Sequence, residues 1–173
     1  MESAQMELAQ ITEDELEIIL HRHEQWIKGS CDGMRAELSG IDLSGIDLSG
    51  VKLCGANLIF TRLCGADLTG ADLARASIIG ADLSHARLTE ADLYCANLYR
   101  AFFTNADLTQ AHLSGARLVR ANFAGADLTR ANLTDANLTG ADFTDATWID
   151  GTKRTGYYPG MDLKCPASAR GLI

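Results

Sequence analysis

From Leu38 to Trp148 every fifth residue is large and apolar, 23 in succession without a slip of register. Leu fills most of these positions, with Ile78, Phe103, Phe123, Phe143 and Trp148 as the exceptions. Two residues before each centre stands Ala, except at Ile41, Ile46, Val51 and Thr61. A period of five with an offset of two fits neither the 3.6-residue period of a helix nor the two-residue period of a sheet strand. Ordinary secondary-structure propensity is therefore the wrong guide to this chain.

The other three positions of each unit are polar or small. Asp, Asn or Arg precedes the centre, Ser or Thr often follows it, and then often Gly, as in Ala66-Asp67-Leu68-Thr69-Gly70. Turn-forming residues at every fifth step imply a backbone that bends at every fifth step. A chain that turns this regularly while pointing two side chains in five inward must wind around its own apolar axis, each coil hydrogen-bonded to the next. The expected class is all-β, a β-solenoid.

The pattern is seen whole in Ala71-Asp72-Leu73-Ala74-Arg75, Ala81-Asp82-Leu83-Ser84-His85 and Ala131-Asn132-Leu133-Thr134-Asp135. It resembles the pentapeptide-repeat family. The resemblance implies a right-handed quadrilateral β-helix with four repeats, or 20 residues, per coil. At about 4.8 Å between paired strands, nearly six coils make a rod roughly 28 Å long.

The domain organisation follows from where the register starts and stops. Residues 1–34 form an N-terminal segment, 35–150 the solenoid, and 151–173 an irregular basic tail containing Gly156, Pro159, Gly160, Pro166 and Gly171. Open coil ends expose apolar and hydrogen-bonding edges and need caps. Thr12-Glu13-Asp14-Glu15 reads as a capping box and Gly29 as a helix stop, which predicts a capping helix over about 13–28. Its Leu16, Ile19, Leu20, His23, Trp26 and Ile27 recur at three- and four-residue steps, so one face can lie on the first coil.

The net charge of −8 arises from an acidic body and a tail of opposite sign. An acidic body disfavours direct binding to nucleic acid or to anionic membranes. The acidic Met1–Glu7 segment lacks the basic and apolar regions of a signal peptide, so the expected location is the cytoplasm of a bacterium, where the family is common. Five scattered cysteines without CxxC spacing point to neither disulfides nor zinc. His21 and His23, near Cys31 and Asp32, face different sides of a helix and make a poor metal site.

Stacking residues 20 apart sorts the outward side chains into four faces. The face built on Leu38, Leu58, Ile78, Leu98, Leu118 and Leu138 carries Ile59, Phe60, Ile79, Tyr99 and Val119, with Arg100, Arg117 and Arg120 against Glu37 alone. Apolar anchors flanked by Arg are the composition of protein interfaces, so Ile59, Phe60, Ile79, Tyr99, Arg100, Val119 and Arg120 form the candidate interaction surface. Its expected occupant is another protein, with the tail or a second copy as alternatives. A second face carries the acidic column Asp47, Asp67, Asp107 and Asp127.

Family members that protect DNA gyrase from quinolones are described as duplex mimics, which makes binding to a type II topoisomerase the alternative function. Duplex DNA carries about 16 charges over the same length, far more than this body, and Arg87 and Arg130 interrupt the acidic side. Catalysis needs unlike groups converging in a concave site. Polar residues spread along convex faces offer none, and no GxSxG, HExxH or phosphate-loop motif occurs. The expected function is a non-enzymatic interaction or scaffold module without a cofactor.

Overall fold

The computed structural model describes residues 10–153: a single helix, α1 (Glu13–Ile27), laid across one end of a column of stacked coils. Parallel bridges join each residue that precedes a centre to the one 20 positions on, from Glu37↔Asn57 to Asp127↔Thr147. Four repeats thus complete one coil throughout. The coils are not built from extended strands. Each pairing is an isolated bridge, because a corner follows every few residues and leaves no straight run long enough to be a strand. The expected all-β class therefore holds as a solenoid of bridges and turns, in which α1 is the one regular element among the described residues.

The repeat centred on Leu58 shows where its backbone donors go. The Ala56 N–H donates to the Leu53 carbonyl and closes the preceding corner (3.0 Å). The Asn57 N–H donates back to Ala36 of the previous coil (2.9 Å), while those of Leu58 and Phe60 donate forward to Ser77 (2.7 Å) and Ile79 (2.9 Å). The remaining donor, the Ile59 N–H, goes to the Asn57 Oδ1 (3.3 Å). Asp or Asn before the centre thus has a structural role in the repeats that carry it: its side chain takes the one N–H that the ladder leaves over, the Asx turn.

The corners themselves need a left-handed residue. Every fifth position from Gly40 to Asp145 has positive φ, and the twelve that are not Gly, from Phe60 to Asp145, lie between 55° and 61°. With a hydrogen bond from the fourth residue back to the first, as from Ala76 to Leu73 (3.1 Å), these are type II turns. Each such L-residue costs on the order of 1 kcal/mol. Ladder bonds and core burial on both sides offset that cost.

The interior is a pile of like on like. Leu53, Leu73, Leu93 and Leu113 are fully buried, as are Ala56, Ala76 and Ala96 on the alternate positions. Phe103, Phe123 and Phe143 stack nearly parallel at 4.8 and 5.0 Å, which is the coil spacing read directly from ring to ring. Trp148 meets Phe143 edge-on and ends the pile. Thr61, the only polar residue at an Ala position, is buried and donates its hydroxyl to the Leu38 carbonyl (2.7 Å).

Ile41, Ile46 and Val51 stand at the small position in the first coil only, and they are half-buried against the core together with Ile11, Ile19 and Leu20. The larger side chains there fill the step between coil and helix. Thr12 and Glu15 form the capping box in full, the Thr12 Oγ1 accepting from the Glu15 N–H and the Glu15 Oε2 from the Thr12 N–H (2.9 Å). At the far end the Trp148 N–H donates to the Thr152 carbonyl (2.7 Å), and Lys153 bridges back to Thr147. The rest of the expected basic tail lies outside the described residues.

His23 joins the helix to the column. It is fully buried, stacks on Trp26 (centroids 5.3 Å apart) and accepts the Ala36 N–H at its Nδ1 (3.0 Å). Its Nε2 finds no hydrogen-bond partner. Burial lowers its pKa from the ordinary 6.5, with Arg35 adding to the shift and the Cys54 backbone and Asp72 opposing it. Because the folded value lies below the unfolded one, the neutral ring's contribution is complete above the unfolded pKa and is lost as pH falls through it. Urea unfolding of the wild type should show stability falling below about pH 6.5. His23→Asn, whose Oδ1 can replace the Nδ1 acceptor, should flatten that dependence relative to wild type, and an identical slope would remove His23 as its source.

Candidate interaction face

The face that sequence stacking places over Leu38 to Leu138 is assembled in three columns. Ser39, Ile59, Ile79, Tyr99, Val119 and Thr139 form the middle column, just after the buried centres. Gly40, Phe60, Gly80, Arg100, Arg120 and Gly140 form the corner column. The bridge column runs Glu37, Asn57, Ser77, Asn97, Arg117 and Asn137, successive members paired. Ile59, Ile79, Tyr99 and Val119 are half-buried, and Phe60, Arg100 and Arg120 exposed.

Phe60 is 55% exposed, and its ring lies over the coil above: a Cβ added to Gly80 would come within 2.5 Å of the ring. A glycine corner therefore gives the ring its seat. The Arg100 guanidinium sits 5.3 Å from the centroid of the Tyr99 ring and that of Arg117 5.5 Å, so two cations share one aromatic surface. Arg117 thus belongs to the candidate surface beside the seven residues expected from sequence.

The acidic column is brought together as expected, Asp47 paired with Asp67 and Asp107 with Asp127, but Arg87 is bridged into the middle of it. The Arg87 Nη1 lies 3.3 Å from the Asp67 Oδ2. Each carboxylate also serves its own corner, accepting the N–H of Ser49 (2.9 Å), Thr69 (3.0 Å), Thr109 (2.9 Å) or Thr129 (2.8 Å). Those bonds favour the ionised form. The Ser49 amide and hydroxyl hold Asp47 below the usual carboxylate range, and the Thr69 hydroxyl and amide do the same for Asp67. At Asp107 burial pushes upward, and the bonds from Thr109 and Thr89 outweigh it.

One cluster escaped the sequence reading. The His112 Nδ1 lies 3.1 Å from the Asp92 Oδ1 of the coil below, and its Nε2 2.5 Å from the Ser114 Oγ, with Tyr94 stacked on the ring at 5.6 Å. Only the 20-residue stacking could have signalled it. Carboxylate, imidazole and hydroxyl stand in the order of a hydrolytic triad, yet the His112 and Asp92 side chains are 43% and 45% exposed on an outer face. Water reaches both, so the arrangement reads as ladder pairing, like Asp42 with Arg62 at 3.5 Å.

Among the described residues no group of His, Cys, Asp and Glu could hold a metal ion, and no helix is long and apolar enough to cross a membrane. Cys54 and Cys64 are half-buried, whereas Cys31 and Cys95 are exposed, and all four are free thiols. Cys165 lies outside the described residues.

The sequence model for pentapeptide repeats matches residues 34–70, 71–110 and 106–145, with eight copies. The chain belongs to the pentapeptide-repeat family. Solved structures similar to it are pentapeptide repeat proteins as well. HetL, involved in heterocyst differentiation regulation in the cyanobacterium Nostoc sp. strain PCC 7120, is 29% identical over 70% of this chain and 76% of its own, with a TM-score of 0.37. A thylakoid-lumen pentapeptide repeat protein of Arabidopsis thaliana is 33% identical over 65% and 72%, with a TM-score of 0.35. A trypsin-treated form of QnrB1, a plasmid-mediated fluoroquinolone resistance protein, is 26% identical over 65% of this chain and 64% of its own, with a TM-score of 0.46. The repeat protein thus spans less than two thirds of QnrB1. Among curated proteins none matches the chain.

Proposed function

We propose that this pentapeptide-repeat protein is a non-catalytic interaction module, and that the face carrying Tyr99 is where it docks another protein. Pentapeptide repeat proteins are in general structural or interaction modules, and a column whose coils are joined by regular backbone hydrogen bonds along its length is a rigid platform. The observation that carries the choice of face is the outward apolar ladder of Ile59, Ile79, Tyr99 and Val119, with Phe60 55% exposed beside it. An apolar run of this length with guanidiniums at its rim has the make-up of an interface core and rim.

The alternative, a duplex mimic acting on a type II topoisomerase, draws on the acidic column and on the likeness to QnrB1. Arg87 within that column and the engagement of its carboxylates by their own corners favour the first reading. Affinity capture from the native cell with wild type, Tyr99→Glu and Asp67→Lys/Asp127→Lys separates the two. The expected result is a partner lost with Tyr99→Glu and retained by the double Lys variant, together with unchanged DNA gyrase supercoiling at micromolar protein. The reverse pattern, or gyrase inhibition, would transfer the function to the acidic face.

A further inference from the structure

Resting on that docking face, we infer that the segment it binds is a protein chain bearing carboxylates about two coils away from an apolar anchor. The face is divided along the column axis. Coils two and three present Ile59, Phe60 and Ile79, and coils four and five present Tyr99, Arg100, Arg117, Val119 and Arg120. From Asn57 to Gly140 none of its three columns contains an acid, on a chain whose net charge is −8. Its one carboxylate, Glu37, sits in the first coil and is held by the Asn57 Nδ2 (2.6 Å) and Arg35 (3.9 Å).

Arg100, Arg117 and Arg120 have no carboxylate within 4.0 Å among the described residues, whereas Arg62 and Arg87 on other faces are each paired to the Asp one coil below. The paired arginines neutralise the column's own acids. The three on this face have no carboxylate at their donor edges, and two of them are ordered on Tyr99, so each can offer its fork of donors to an incoming carboxylate.

Spacing and sign select the occupant. Two coil steps of about 4.8 Å separate the apolar half from the cationic half, close to three residues of an extended chain at about 3.4 Å each. A segment with a large apolar residue and acids about three positions away would engage both halves. Nucleic acid fits poorly, because duplex binding recruits about six to ten phosphate contacts. Three guanidiniums flanked by columns holding Asp42, Asp82, Asp72 and Asp92 cannot supply them.

The test selects ligands from a random-peptide phage library against the immobilised full chain, then measures each peptide against wild type, Arg100→Gln/Arg117→Gln/Arg120→Gln and Tyr99→Glu. Enriched peptides should pair Asp or Glu with a large apolar residue, weaken as salt rises, and lose about tenfold or more in affinity to the triple Gln variant. All variants should melt with the wild type, since the altered groups lie outside the core. Peptides that fail on Tyr99→Glu yet bind the triple Gln variant normally would overturn the acidic-partner inference and leave the docking face standing. Peptides indifferent to both variants, or no enrichment, would overturn both. Binding of a short DNA duplex that the triple Gln variant abolishes, or a dimer that Tyr99→Glu dissociates, would replace the inferred occupant with nucleic acid or a second copy.

Discussion

Leu93→Lys is expected to leave no folded solenoid, while Ser84→Lys should melt within a few degrees of the wild type. Leu93 is fully buried between Leu73 and Leu113, its counterparts one coil below and one above. Losing that burial forfeits about 1.5–3 kcal/mol, and an unpaired ammonium in its place adds several more. Against a total stability of about 5–15 kcal/mol for a domain this size the sum is decisive. The interior cannot relax to accommodate it, because ladder bonds hold the neighbouring coils in register, as the Leu93 N–H does with the His112 carbonyl at 2.8 Å. Ser84 follows the centre Leu83, and its amide is fixed by the Asp82 Oδ1 (3.0 Å) whatever the side chain, which projects from the column. Circular dichroism with thermal melting reads both variants, and equal midpoints would mean that the inward and outward positions are wrongly assigned.

That prediction needs only the sequence, because a five-residue register carries the geometry within it. Two inward side chains and one left-handed corner repeat with no freedom between them, so the identity of Leu93 as core follows from counting. The capping box at Thr12 and Glu15 was legible for the same reason, as a local motif with a local mechanism. Strand content was not. The stacking suggests strands, but corners at every fifth residue cut each pairing to a single bridge.

The role of His23 was also hidden. Its spacing places it on the apolar face of α1, but the acceptor bond from the Ala36 N–H joins residues 13 apart through a fold that no local pattern specifies. On the outer faces, counting by 20 brought Tyr99, Arg100 and Arg120 to one side and Asp67 and Asp127 to another. Side-chain reach then decided the chemistry: Arg87 turned to Asp67, Arg117 turned to Tyr99, and His112 found Asp92 and Ser114. These contacts depend on rotamers, and the repeat leaves outward rotamers unspecified.

The N-terminal cap depends on a residue outside the repeat, and Gly33→Ala should detach it. A Cβ at Gly33 would lie 2.2 Å from the Trp26 nitrogen and 2.4 Å from its Cα. Both are backbone atoms, so no side chain can swing aside; either the end of α1 or the 30–34 connection must move. Overlaps of this kind cost about 1–3 kcal/mol when a core can shift, and here the shift must break the Met34 N–H to Arg22 carbonyl bond (3.0 Å) and draw His23 away from Ala36. With α1 displaced, Leu16, Ile41, Ile46 and Val51 lose their cover, and the first coil presents an unpaired edge that can take up another chain. Since α1 is the only helix among the described residues, the ellipticity at 222 nm reports it directly. The expected variant loses helical signal, shifts Trp26 fluorescence to the red, and sediments as larger species, while its main melting transition, that of the coils, survives. Gly29→Ala supplies the control, because at φ +75° it strains the chain but meets nothing within 4 Å. It should cost about 1 kcal/mol and leave the helix docked. If Gly33→Ala instead keeps the helical signal and the monomeric state of wild type, the cap is held by the solenoid surface alone, and close approach at Gly33 has no part in seating it.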